Sequence, residues 1–179
     1  MVRERVAHTT QLSLAALFNM ANTKLLKIKI KVKLLKWIKW ENRFKIKDIN
    51  FPGVYVVAKT KSNLDGKNID LKEIYYIGMT TAKAGLIGRL NQFDSGIRRG
   101  YGHSGANRLF KEIKNEIPYQ NWNDDEHLFV ATIPIQCNVD KETRTYKDLQ
   151  VMGSIAMLEY EILAMIKKEL GKEPELNKK

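Results

Sequence analysis

Two short strings that pair a tyrosine with a glycine could carry chemistry in this chain. They are Gly53-Val54-Tyr55 and Tyr76-Ile77-Gly78, and both fall in apolar stretches typical of strands. A phenol can accept or donate a proton, and a glycine on a strand permits close approach by a ligand. A lone tyrosine on a strand is usually a packing residue, so it is the pair that indicates a site.

Arg89 follows Tyr76 by thirteen residues and lies on a predicted helix. Arginine is always charged and presents a planar fork of hydrogen-bond donors. Near a scissile phosphate it can stabilise the extra negative charge of a pentavalent transition state. Taken alone, Arg89 is typical of a solvated helix face, so its significance depends on the two strings before it.

These residues resemble the GIY-YIG nuclease superfamily, and the resemblance spans roughly residues 53–177. It implies a DNA endonuclease that hydrolyses phosphodiester bonds with the help of a metal ion and leaves 5′-phosphate and 3′-hydroxyl ends. In the mechanism that the family implies, Tyr55 acts as general base on a water and Tyr76 helps to orient that water. Arg89 then stabilises the charge that develops at phosphorus.

The resemblance also implies a metal-binding glutamate on a later helix, with apolar residues just before it and again three and four positions after it. Glu159 meets that register, whereas the alternative, Glu161, does not. Mg²⁺ prefers oxygen ligands and can be held by one carboxylate together with substrate phosphate. Glu159 is therefore predicted to be the catalytic ligand of Mg²⁺, for which Mn²⁺ can substitute.

The chain end and one helix position complete the resemblance. Pro174-Glu175-Leu176-Asn177 resembles the string that closes the domain in many members, where the asparagine braces the active site. Phe93 departs from the family, because many members have a His or Tyr four residues after the arginine. His103 and Tyr101 are the candidates to replace that group, and His103 is the predicted site residue because two arginines that could hold phosphates precede this stretch.

The hydrophobic pattern predicts the elements that must position these residues. Short apolar runs predict strands, periodic apolar stripes predict helices, and a glycine-rich loop is predicted at 96–105. The order β, β, α, α, β, α favours a small α+β sandwich, with a short, mostly antiparallel sheet flanked by helices. The predicted strands are 53–58, 74–78 and 127–135, and the predicted helices are 86–93, 106–116 and 152–170.

Residues 1–50 form a basic extension before the predicted nuclease domain at 51–179. They hold twelve Lys or Arg against three acidic residues, a net +9 of the +11 carried by the whole chain. A short helix is predicted at 13–22 within this extension. Affinity for DNA is therefore expected to come largely from the extension.

Lysine alternates with aliphatic residues over 27–34, which predicts a strand with its lysines on one face. Three interpretations stay open: an edge strand with solvated lysines, a basic ribbon along a phosphate backbone, and a segment at a membrane surface. Trp37 and Trp40 follow at once. They either anchor the ribbon to the core or contact nucleic acid.

The composition limits the class of protein. A net charge of +11 and a pI near 9.6 favour polyanionic partners. The single cysteine excludes an intrachain disulfide and a cysteine-based zinc site. No run approaches the ~18 apolar residues that a membrane span needs. We therefore expect a cytoplasmic protein that binds nucleic acid and does not enter a membrane.

The short build with an N-terminal extension is most like a type II restriction endonuclease of the family. Its partner would be double-stranded DNA, and cutting both strands with one site per chain suggests a homodimer. A structure-specific repair or recombination nuclease is the first alternative. The second is a non-catalytic nucleic-acid-binding module, for which the Phe93 departure argues.

Overall fold

The computed structural model describes residues 32–116 and 127–177. The predicted helix at 13–22 and the first part of the predicted strand at 27–34 lie outside those ranges. Val32 and Lys33 are helical, so the predicted strand is wrong at these residues. The reason is that Leu35 N–H closes a turn on the carbonyl of Val32, at 3.0 Å, and the Val32 side chain is buried in the core.

The predicted α+β class is confirmed, and the described residues form an antiparallel sheet of four strands with three α-helices. The strands lie in the spatial order β1-β4-β2-β3, so β3 is an edge strand. They are β1 (Ile38–Lys39), β2 (Gly53–Lys59), β3 (Tyr76–Thr80) and β4 (Leu128–Pro134). The helices are α1 (Gly85–Arg99), α2 (Ser104–Glu116) and α3 (Tyr146–Leu170).

The antiparallel pairing of β2 and β3 sets the positions of the two tyrosines. Tyr55 pairs with Gly78, and Tyr76 pairs with Val57. Because side chains alternate between the two faces of a strand, this register places Tyr55 and Tyr76 on the same face of the sheet. The tyrosines of the two sequence strings therefore contribute to one surface of the sheet.

The sheet has a helical layer on each face. Helices α1 and α2 cover the face that carries the tyrosines, through a cluster that includes Leu86, Leu90 and Leu109. Helix α3 covers the other face, where Ile155, Ile162, Met165 and Ile166 pack against the opposite side chains of β2, β3 and β4. Burial of this kind stabilises the fold by about 1.5–3 kcal/mol for each large apolar side chain.

The predicted glycine-rich loop at 96–105 is wrong over most of its length. Helix α1 continues to Arg99 and α2 begins at Ser104, which leaves only a four-residue turn between them. Gly96 lies against Ala106, and a Cβ atom at position 96 would come within 2.7 Å of the Ala106 Cβ. Gly96 permits close packing of two helices, so the high frequency of glycine in this segment did not mark a loop.

Helix α3 begins six residues earlier than predicted. Thr145 and Asp148 form a reciprocal capping box at its start, and Gly171 ends it with a φ of 73°. By length and composition this helix could cross a membrane, a test that core helices of globular domains also pass. Its apolar side packs on the sheet, as described above.

Residues 32–50 share the sheet and the core of the rest. Strand β1 pairs with β4, and Trp37 and Trp40 are both fully buried. The indole of Trp37 donates to Glu73 at 3.0 Å, and that of Trp40 donates to Asp94 on α1 at 2.8 Å. The two tryptophans therefore anchor this segment to the core, and neither ring is exposed for contact with nucleic acid.

Candidate active site

Four rings pack together on the tyrosine face of the sheet and form what we call the ring cluster: Tyr55, Tyr76, Phe93 and His103. The ring centroids of Tyr55 and Tyr76 are 5.9 Å apart, and those of Phe93 and His103 are 4.9 Å apart. Phe93 is fully buried between Trp40 and the other rings. Phe93 is therefore an apolar wall of the ring cluster and supplies no polar group to it.

Glycines make room for the ring cluster. A Cβ atom at Gly78 would lie 2.7 Å from the Tyr55 hydroxyl and 2.9 Å from a Tyr76 ring carbon, and one at Gly105 would lie 2.5 Å from the Tyr76 ring. At Gly53 a Cβ atom would meet the carbonyl oxygen of Ile133 at 2.2 Å. These glycines accept close approach by the protein itself, where the sequence suggested approach by a ligand.

His103 joins the site through the hydroxyl of Tyr55. Its Nε2 lies 2.9 Å from the Tyr55 oxygen, and its Nδ1 accepts the backbone N–H of Ala106 at 3.3 Å. Because Nδ1 is an acceptor, a neutral His103 carries its proton on Nε2 and donates it to Tyr55. Burial, reinforced by the nearby charge of Arg89, lowers the pKa of His103 to about 4, so the ring is neutral at pH 7.

The two phenols differ in access and in pKa. Burial, together with the neighbouring Tyr76, raises the pKa of Tyr55 well above its usual value, and its side chain is 1% exposed. Burial also raises the pKa of Tyr76, which is 7% exposed. The interaction between the two phenols raises the pKa of Tyr55 and lowers that of Tyr76, so Tyr76 is the phenol whose ionisation this interaction favours.

Arg89 lies beside both hydroxyl groups. Its charge lowers the pKa of Tyr55 and of Tyr76 and so works against the effect of burial. One terminal nitrogen donates to Gln92 at 3.3 Å. Its Nε is buried and has no hydrogen-bond partner in the described residues, which is uncommon for a polar atom.

A groove of about 1030 Å³ opens on the edge of the sheet next to the ring cluster. Its wall includes Tyr76, Glu159, Asn177, Ser104 and Arg108. Within the part of the chain that the structure describes, Tyr76 alone belongs to both the ring cluster and the groove wall. It therefore connects the buried hydroxyls to a surface that a substrate can reach.

The two candidate glutamates occupy different positions on α3. Glu159 lies in the groove wall, and its charge raises the pKa of Tyr76. Glu161 does not belong to the described wall of the groove. The geometry therefore favours Glu159 over Glu161 as the candidate metal ligand, as does the apolar register of the sequence.

Asn177 fastens the chain end to the tyrosine strand. Its side-chain oxygen accepts from Ile77 N–H at 2.9 Å, and its side-chain nitrogen donates to the Ile77 carbonyl at 2.8 Å. Leu176 N–H donates to the carbonyl of Tyr75 at 3.1 Å. The Asn177 side chain thus pairs with both backbone groups of Ile77 at the outer edge of β3.

The structure adds Arg108 to the candidate site and places Tyr101 outside the ring cluster. Arg108 on α2 donates to the carbonyl of Leu176 at 2.5 Å, lies in the groove wall, and lowers the pKa of Tyr76. The only sequence signal for it is its position four residues after Ser104, on the same helix face. Tyr101, the alternative to His103, is 61% exposed and lies outside the ring cluster.

The donor set of the groove fits a magnesium ion held mainly by substrate. No group of three or more His, Cys, Asp or Glu side chains that could hold a metal occurs at 32–116 or 127–177. Three carboxylates line the groove, those of Glu159, Glu173 and Glu175. Glu173 is paired with Lys167 at 2.8 Å, and Glu159 is the one whose charge acts on Tyr76. Magnesium bound through one carboxylate, waters and phosphate oxygens needs no more than this.

Comparisons of the chain with protein-family models, with curated proteins and with solved structures find no match.

Burial of neutral His103 predicts acid-sensitive folding. In the unfolded state a histidine has a pKa near 6.5, whereas in the folded state His103 has a pKa of about 4. Between these two pH values the unfolded state therefore binds a proton that the folded state does not bind. The free energy of unfolding therefore falls as the pH drops from about 6.5 to 4, by about 3 kcal/mol from this residue. Urea titrations across this range test it. His103→Asn flattens the slope, and His127→Asn, at a partly exposed histidine, keeps it. Equal slopes for wild type and His103→Asn contradict the assignment.

Proposed function

We propose that this chain is a Mg²⁺-dependent DNA endonuclease of the GIY-YIG superfamily, most like a type II restriction enzyme. The observation that carries the proposal is the convergence of six separated residues at β3. Tyr55, Tyr76, Arg89 and His103 meet on one side of the strand, and Glu159 and Asn177 meet Tyr76 and Ile77 at its edge.

The hydrogen bonds of the ring cluster run in one direction, toward the groove. His103 Nε2–H donates to the Tyr55 oxygen, which leaves the Tyr55 hydroxyl proton for the neighbouring Tyr76, whose pKa the interaction with Tyr55 lowers. This order favours negative charge on Tyr76, because each donor strengthens the acceptor ahead of it. Tyr76 is therefore the better general base toward a water in the groove, and Tyr55 supports it from behind. This exchanges the two roles that the family resemblance implies.

The reaction we propose is a single hydrolytic displacement at phosphorus. The Tyr76 phenolate takes a proton from a water in the groove, and the water oxygen forms a bond to phosphorus. The bond from phosphorus to the 3′ oxygen breaks, and that oxygen takes a proton from solvent. Arg89, always charged, offsets the negative charge that builds up on the phosphoryl oxygens. The products are a 5′-phosphate and a 3′-hydroxyl.

Glu159 would hold the magnesium ion, which supplies Lewis-acid stabilisation of phosphate charge when it is bound. Arg108, Lys167 and Lys172 give the groove wall cationic groups, although Lys167 is paired with Glu173 at 2.8 Å. Phosphate contacts of this kind supply affinity without sequence readout. Double-stranded DNA is the proposed substrate, in the cytoplasm and with a homodimer cutting both strands.

Replacement of the two phenols tests the direction of the hydrogen-bond chain. Tyr76→Phe removes the base and lowers kcat for plasmid cleavage by about 10²–10⁴-fold. Tyr55→Phe removes one supporting hydrogen bond and lowers kcat by about tenfold. Tyr146→Phe, at an exposed tyrosine on α3, leaves kcat unchanged. A Tyr55→Phe loss as large as that of Tyr76→Phe would instead return the base role to Tyr55.

Paired glutamate variants test the metal position. Glu159→Gln abolishes Mg²⁺-dependent cleavage because it removes the groove carboxylate that acts on Tyr76, whereas Glu161→Gln, two residues away, retains it. Arg89→Ala lowers cleavage by about 10²–10³-fold, as expected for loss of a charge-stabilising donor. Circular dichroism confirms that each variant is folded.

Discrete plasmid fragments support restriction, and cleavage confined to branched or nicked DNA supports a repair nuclease. Binding of DNA without any cleavage in Mg²⁺ or Mn²⁺ supports the alternative of a non-catalytic nucleic-acid-binding module.

A further inference from the structure

Tyr101 stands at the tip of the four-residue turn that joins α1 to α2, with 61% of its surface exposed. Gly100 before it has a φ of 73°, and its N–H bonds the carbonyl of Gly96 at 2.8 Å. A Cβ atom at Gly100 would lie 2.5 Å from the Phe110 ring. The base of the turn is thus fixed against α1 and α2, while the tyrosine ring is held out toward solvent.

The turn lies next to the proposed active site. Tyr101 is two residues before His103, which bonds Tyr55, and three before Ser104, which is exposed in the groove wall. Chain geometry limits the Cα separation to about 7 Å for the first pair and about 11 Å for the second. The exposed ring is therefore within side-chain reach of the groove beside Tyr76.

Two arginines accompany the ring and are held differently. Arg98 makes two hydrogen bonds to Asp94, at 2.9 and 3.2 Å, and so belongs to the network that also binds Trp40. Arg99 is exposed and donates to the Tyr101 hydroxyl at 3.3 Å. A flat ring beside a guanidinium offers one group for a nucleobase and one for a phosphate.

We infer that Tyr101 and Arg99 contact nucleic acid next to the scissile phosphate, Tyr101 by stacking on a base and Arg99 by binding a backbone phosphate. This inference rests on the proposed function. It assigns the turn a role in holding the substrate strand, and no part in the chemical step.

Binding of a fluorescein-labelled 30-base-pair duplex and of the matching single strand, measured by anisotropy with Ca²⁺ in place of Mg²⁺, tests this. Tyr101→Ala weakens binding about tenfold because a stacking contact is lost, and Tyr101→Phe restores most of it. The salt dependence of binding is unchanged in Tyr101→Ala. Arg99→Gln reduces the slope of log K against log salt by about one, as expected for one phosphate contact. Tyr146→Ala, at a tyrosine that is 69% exposed on α3, binds like wild type.

Wild-type affinity in Tyr101→Ala, or an equal loss in Tyr146→Ala, overturns the inference even if the enzyme cuts DNA. If the wild type binds DNA through Tyr101 but cuts nothing in Mg²⁺ or Mn²⁺, the nuclease proposal fails and the contact stands. A loss of affinity confined to the duplex or to the single strand shows which form stacks on the ring and supports the contact.

Discussion

The site depends on how the free edge of β3 is closed. An edge strand exposes unpaired backbone groups, which a protein must cover or satisfy. Here the side chain of Asn177 pairs with both backbone groups of Ile77, one residue from Tyr76. The same segment, through the carbonyl of Leu176, receives a hydrogen bond from Arg108 on α2. Closing the edge therefore also fixes the groove wall in which Tyr76 and Glu159 stand.

The second constraint is space on the tyrosine face of the sheet. Two phenol rings, Phe93 and His103 fit together only because Gly78 and Gly105 carry no side chain. This packing excludes water from Tyr55 and His103, and burial in turn keeps His103 neutral and a donor. A larger residue at either glycine would displace the tyrosine rings and disturb the packing around the hydrogen bond between His103 and Tyr55.

Much of this could be predicted from the sequence because local signals agree with the fold. The hairpin of β2 and β3, β4 and the core of α3 followed from apolar periodicity, and the capping residue Gly171 marked the end of α3. Glycines misled the prediction at 96–105, because a glycine that allows two helices to pack resembles one that allows a turn. The proposed roles of Tyr55 and Tyr76 depend on burial and on the contact of Tyr55 with His103, which no local pattern records. Arg108 depends on where the chain end returns, a contact across 68 positions.

The central claim is that Tyr76, at the junction of the ring cluster and the groove, directs a water onto a DNA phosphate. Cleavage of plasmid DNA in H₂¹⁸O with Mg²⁺, followed by mass spectrometry of the ends, tests it most directly. The account predicts breaks that EDTA prevents, each with one ¹⁸O atom in the 5′-phosphate and an unlabelled 3′-hydroxyl. Absence of any Mg²⁺- or Mn²⁺-dependent break, or breaks without the label in the 5′-phosphate, would contradict it.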